Sequence, residues 1–210
     1  MSLMLPKDSG PDFELTPAGT HIATCYRVID IGTQQVEWEG KTKRQYKILL
    51  SWELTDELMK EGENAGKPFT VHKRYTLSSS SKSSLRQDLE AWRGVPFRES
   101  DFGTFDISIL LGKSCMLGIV HETRDGKTYA NLSSILRLPK GMEAKKLVNP
   151  QIRFDLTEFK QDVYDSLTEG LKAVIAKSPE YQELKGGNQL EESLPESSIP
   201  ARIIDDEIPF

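Results

Sequence analysis

Cysteine and histidine are scarce in this chain, and positive charge is not in excess: two Cys, three His, and 27 Lys plus Arg against 32 Asp plus Glu, a formal net charge of −5. Each shortage narrows the chemistry. Cys25 and Cys115 stand in apolar, strand-like stretches with no His or Cys at metal-ligand spacing. They read as buried free thiols of a reducing compartment, not as zinc ligands. His21, His72 and His121 match neither a metal-ligand nor a triad spacing. Gly112-Lys113-Ser114 has the end of a phosphate-cradling loop, but the required earlier glycine is replaced by Ile107. Acidic pairs such as Asp56/Glu57 sit in a loop of mixed charge and read as solvated surface. The expectation is a protein that is not an enzyme and uses no metal or cofactor. No apolar run has the length of a membrane span, and the first residues lack a secretory pattern, so the expected setting is soluble and cytoplasmic.

What is present is unevenly distributed. Six acids and one base, Arg202, fall in residues 188–210, which leaves 26 of each sign in residues 1–187. The body is neutral and the acidic excess lies in the tail. A neutral body still carries a basic face where cations cluster, and clustering governs phosphate binding more than net charge does.

Periodicity divides the chain. Residues 1–19 are punctuated by Pro6, Gly10, Pro11, Pro17 and Gly19 and read as an irregular lead-in. His21 to Ile31 is strand-like. Gly32 to Gly40 reads as a turn-bearing stretch, followed by Tyr46, Ile48, Leu50, Trp52 and Leu54 alternating with polar residues, the mark of a half-buried strand. Phe69 to Leu77 makes a third strand. The Ser-rich run Ser78–Ser84 reads as a helix start, because Leu85, Leu89 and Trp92 follow at helical spacing and Gly94 stops the run. Ser114 to Glu122 and Lys127 to Leu138 form a hairpin around Asp125-Gly126.

Three strands, a helix and two strands are the order of the OB-fold, a small five-stranded barrel. The expected fold is therefore mainly β with α appendages: an OB-fold domain over 20–140, a linker over 141–150, a helical segment over 151–185 and a disordered acidic tail over 186–210. In the helical segment, Asp155 to Lys177 reads as one amphipathic helix, with Asp155/Glu158 as a capping box and Phe159, Val163, Leu167, Leu171 and Val174 along one face. Pro179 then starts a short turn to Lys185. The tail is rich in Ser, Glu and Pro and has no hydrophobic period, so it does not offset its ordering entropy.

The chain ends Asp205-Asp206-Glu207-Ile208-Pro209-Phe210. An acidic leash is drawn to a basic surface, Pro209 limits the freedom lost on docking, and the Phe210 ring fills an apolar pocket while its carboxylate meets an Arg or Lys. This ending resembles the Asp-Asp-Xaa-Ile-Pro-Phe tip of bacterial single-stranded-DNA-binding proteins. The body, through His72-Lys73-Arg74-Tyr75-Thr76 and Leu85 to Gly94, is similar to phage-encoded members of that class. The resemblance implies sequence-independent binding and protection of single-stranded DNA in replication, recombination or repair inside a bacterial host. It also implies that residues 205–210 recruit a helicase, nuclease, primase or recombination mediator; a homo-oligomer is compatible with it.

Single-strand binding needs cations for the backbone and exposed aromatics for the bases. Trp38, Lys41, Lys43, Arg44 and Lys47 supply both around the first hairpin. His72, Lys73, Arg74 and Tyr75 form a second locus, in which alternation puts Phe69, Val71, Lys73 and Tyr75 on one face and His72 and Arg74 on the other. Arg124, Lys127 and Tyr129 on the last hairpin form a third. Trp52 and Trp92 read as core. The competing reading is an adaptor or inhibitor that uses the tail to occupy host pockets and binds no DNA.

Overall fold

A computed structural model describes residues 14–38 and 40–192. Within them the chain forms β1 (Gly19–Trp38), β2 (Lys41–Leu58), β3 (Pro68–Thr76), α1 (Ser84–Arg93), β4 (Ser114–Arg124), β5 (Lys127–Arg137), β6 (Ile152–Phe154), α2 (Gln161–Asp165), α3 (Glu169–Ile175) and α4 (Pro179–Glu192). The fold is mainly β with helices, as expected. One sheet runs β3-β2-β1-β4-β5 with antiparallel neighbours, and β6 pairs parallel to β1 over Arg27–Ile29. Among the described residues no hydrogen-bonded ladder joins β3 to β5, so the sheet stays open. The two strands nevertheless approach each other, and α1 lies against both.

β1 is longer than the periodicity predicts. It continues through Gly32, where the turn-bearing stretch was expected to begin, and ends at Trp38, which pairs with Lys41 across a turn at the far end of that stretch. Gly32 is a bulge and not a strand end: the register slips between Asp30 and Gly32, and Gly32 takes φ +66. A Cβ there would meet the Ser178 Cβ at 2.6 Å, so the residue is also a point of close approach for the α3–α4 turn. A second register slip lies between Cys25 and Arg27. Bulges bend and twist a strand, which lets β1 serve β4 over Gly19–Thr24 and β6 further on.

The two faces of the sheet carry separate cores. On one face Ile48, Leu50, Trp52 and Leu54 of β2 join Phe69, Val71 and Tyr75 of β3 and Leu85, Leu89 and Trp92 of α1. The alternation and the helical spacing are borne out, Trp52 and Trp92 are buried together with ring centroids 5.9 Å apart, and Gly94 ends α1 in the left-handed region. Asp125 and Gly126 take φ 50 and 75 in the tight turn between β4 and β5. Cys25 and Cys115 are free and fully buried; burial pushes the Cys25 thiol up to about 12 and Cys115 well above its ordinary value.

On the opposite face Ile29, Ile31 and Leu49 meet Phe154, Leu156, Tyr164, Leu167, Leu171 and Ile175. The stripe read as one helix over Asp155–Lys177 is therefore core, but it is delivered by two short helices, α2 and α3, and the turns around them. Asp155 accepts from the Thr157 amide (2.9 Å) and hydroxyl (2.7 Å), forming a local turn in place of a capping box. The Leu156 amide leaves any helical ladder to reach Asp30 (3.3 Å). Beyond Pro179 the short turn expected to end at Lys185 is α4, which runs through Gly186 and Gly187 to Glu192. The remaining expected tail lies outside the described residues.

The stretch 141–150 has no regular structure, yet it is strapped down. Glu53 is fully buried on β2 and accepts from the Val148 amide (2.9 Å), the Asn149 amide (2.8 Å) and Asn149 Nδ2 (2.7 Å). Three donors on one buried carboxylate satisfy a group that is costly to bury bare.

Candidate nucleic-acid interface

Register decides which side chains share a surface, because directly paired residues of an antiparallel ladder project to the same side. On the face that carries Leu49 lie Lys41 and the rows Val36–Lys43, Gly32–Lys47–Thr76, Ile29–Leu49–Arg74 and Arg27–Ser51–His72. At ~3.4 Å per residue, the run from Lys41 to Ser51 spans about 34 Å. The second core covers Ile29 and Leu49, so the cations continue from β2 onto the edge strand β3. Lys41, Lys43, Arg74 and His72 are exposed, and Lys47 is half-buried.

Among the described residues, none of Arg27, Lys41, Lys43, Arg44, Lys47, His72 and Arg74 has a carboxylate oxygen within ion-pair distance. Arg44 stands on the other side of the hairpin, in the row of Gln35 and beside that of Thr33 and Tyr46. There Glu180 accepts from the Thr33 amide (2.9 Å) and hydroxyl (2.5 Å). Partial burial opposes its ionisation, but the Thr33 bonds, assisted by Arg44, hold its carboxyl below the ordinary range. This anchors α4 at the base of the hairpin.

The second locus splits as alternation predicts. His72 and Arg74 face outward; Lys73 and Tyr75 turn toward α1. Lys73 Nζ and the Tyr75 hydroxyl each reach Asp88 Oδ2 at 2.7 Å. Tyr75 is 1% exposed and offers no ring face to a base, contrary to the expectation that placed it in the second DNA-binding locus; it is a core residue with a satisfied hydroxyl. Lys73 is likewise committed to an internal ion pair.

Arg124, Lys127 and Tyr129 are exposed at the tip of the β4–β5 hairpin, Arg124 paired with Glu122 at 2.6 Å. Because Gly19 pairs with Ile119, this tip extends beyond the start of β1, whereas the Trp38–Lys41 pair closes its other end. The first and third loci thus project from opposite ends of that strand. Asp205, Asp206, Glu207, Ile208, Pro209 and Phe210 lie outside the described residues.

Sequence reading missed Arg27. It falls inside an apolar strand, and only the bulge between Cys25 and Arg27 turns it onto the row of Ser51 and His72. Its guanidinium stands 4.9 Å from the Tyr26 ring centroid. The other two histidines hold the lead-in: His21 hydrogen-bonds Pro17 O and Glu57, and His121 hydrogen-bonds Thr16 O. Among the described residues no three metal-ligating side chains converge, and no helix is long and apolar enough to cross a membrane. In comparisons with known proteins, the chain matches no family model and no curated sequence.

Proposed function

We propose that the protein binds single-stranded DNA without reading its sequence, laying the backbone along β2 and β3, and that residues 205–210 dock partner proteins of DNA replication, recombination or repair. The observation that carries this reading is the row of cations without ion-pair partners among the described residues, from Lys41 to Arg74. Cations left unpaired on one surface are what phosphate binding requires. The strand order supports an OB-type barrel, a design that is partly open and binds oligonucleotides on its second and third strands. Trp38, beside the turn, supplies a ring for base stacking. The acidic tip supports recruitment of a helicase, nuclease, primase or recombination mediator in a bacterial cytoplasm, on the resemblance already described.

The test is titration of Trp emission with single- and double-stranded oligonucleotides at two salt concentrations. Trp52 and Trp92 are buried and provide a constant background. The expected result is quenching by the single strand that weakens steeply with salt. Absence of any binding at low salt sinks the reading and favours an adaptor that works through its tail alone.

A further inference from the structure

Buried polar atoms without partners are uncommon in folded proteins, and each asks for an explanation such as a water or an ion. Five are present among the described residues: Arg27 Nε, Ser51 Oγ, Trp52 Nε1, Thr55 Oγ1 and Arg93 Nη1. Two of them fall in a single cross-strand row. Arg27 on β1, Ser51 on β2 and His72 on β3 are consecutive register partners on one face, with Ser51 fully buried between two cation-capable side chains. Strands lie ~4.8 Å apart, so Arg27 and His72 start about 10 Å from each other with Ser51 between them. Arg74 follows on the same face of β3, in the next row.

We infer that Arg27, Ser51 and His72 form a seat for one phosphate-type oxyanion. Arg27 presents its guanidinium fork from a position fixed over Tyr26, His72 closes the opposite side, and the idle Ser51 hydroxyl forms the floor. Among the described residues, the acid in the adjacent row is Glu53, and its carboxylate is taken up by the Val148 and Asn149 donors. Three groups from three strands converge on one oxyanion, which sets this place apart from the dispersed lysines of the hairpin. The inference rests on the proposed function only for the origin of the ligand, a phosphodiester of the bound strand; its chemistry applies equally to free phosphate.

Electrostatics supplies the readout. His72 is held below its ordinary value, first by partial burial of its ring against the sheet and then by the Arg27 charge. An oxyanion between the two offsets the Arg27 field and favours the imidazolium, so binding takes up a proton. The charged groups around the ring are Arg27 from β1, Arg74 on its own strand and Glu53 from β2.

The experiment follows the ring signals of His72 by NMR in the full chain, titrated with pH in inorganic phosphate and in chloride of equal ionic strength. The expected result is a His72 midpoint at least about half a pH unit higher in phosphate, with no such difference for His21 or His121. Arg27→Met abolishes the difference, and Ser51→Ala, which removes only an unpartnered hydroxyl and leaves the backbone ladder intact, reduces it. Equal midpoints in the two salts, or a shift that survives Arg27→Met in a folded protein, overturns the seat. An oligothymidylate arm separates the two ideas. Wild-type binding that Arg27→Met weakens roughly fivefold at low salt supports both. Wild-type binding indifferent to Arg27→Met and Ser51→Ala overturns the seat and leaves the proposed function standing. A phosphate-dependent His72 shift without oligonucleotide binding upholds the seat and rejects single-strand binding.

Discussion

Two regions of the molecule carry clustered cations and use them in opposite ways. Around α1 they are consumed: Lys73 pairs with Asp88, Arg86 with Glu90 and Arg93 with Asp101. The two arginines also lie over aromatic rings, Arg86 at 4.8 Å from Phe102 and Arg93 at 4.3 Å from Phe97. Across the sheet, Lys41, Lys43, Lys47, His72 and Arg74 have no acid within ion-pair reach among the described residues. A cation whose field is already answered by a carboxylate adds structure; one whose field is open attracts phosphate. Composition does not distinguish the two, and placement does.

The contrast breaks most visibly under charge reversal. Lys43→Glu, Lys47→Glu and Arg74→Glu together are expected to weaken single-stranded DNA binding about 100-fold at low salt and to flatten the salt slope by about two. Fluorescence anisotropy measures both, and unchanged affinity removes the open face from the interface. The mirror experiment is Asp88→Ala, which strips Lys73 and the buried Tyr75 hydroxyl of their shared acceptor. It is expected to cost about 2 kcal/mol of stability in denaturant unfolding while the DNA affinity of the folded fraction holds. If it weakens binding and spares stability, the α1 side is a ligand surface after all.

Smaller effects sharpen the same line. Trp38→Ala is expected to lower affinity about tenfold by losing one stacked base, seen also as loss of the quenching that buried Trp52 and Trp92 cannot supply. The gentlest test is the pH dependence of stability. His72 has a folded value below its unfolded one, so above about pH 6.5 both states are neutral there and nothing is gained or lost. As pH falls below that point the unfolded chain takes up a proton that the fold resists, and stability declines. His72→Gln is expected to lose less stability than wild type between neutral pH and pH 5 in matched urea melts at low phosphate; an equal decline shows that the ring is not held neutral.

Much of the fold was legible because burial imposes short periods on a chain. The alternation from Tyr46 to Leu54 and from Phe69 to Tyr75, the spacing of Leu85, Leu89 and Trp92, and the Asp125-Gly126 turn are local consequences of a strand or helix with one side in a core. The same alternation separated His72 and Arg74 from Lys73 and Tyr75. Other features were not legible. The stripe from Phe159 to Val174 has helical spacing, yet Ile152–Phe154 finds β1 and Leu156 finds Asp30, and these distant partners outcompete a continuous helix. Gly32 resembles a turn until Ser178 is seen against it.

By itself, the sequence determined that this chain is mainly β, that its acidic excess lies at one end, and that cations cluster on the first hairpin and on β3. Those are properties of neighbours along the chain. Only the tertiary structure decided which cations remain open, that Glu53 latches residues 148 and 149, and that Arg27 joins Ser51 and His72 in one row. These are relations between residues 21 to 96 positions apart, fixed by ladder register and by two slips in β1. A one-residue slip moves every following side chain to the other face, and nothing local in a sequence records where it occurs.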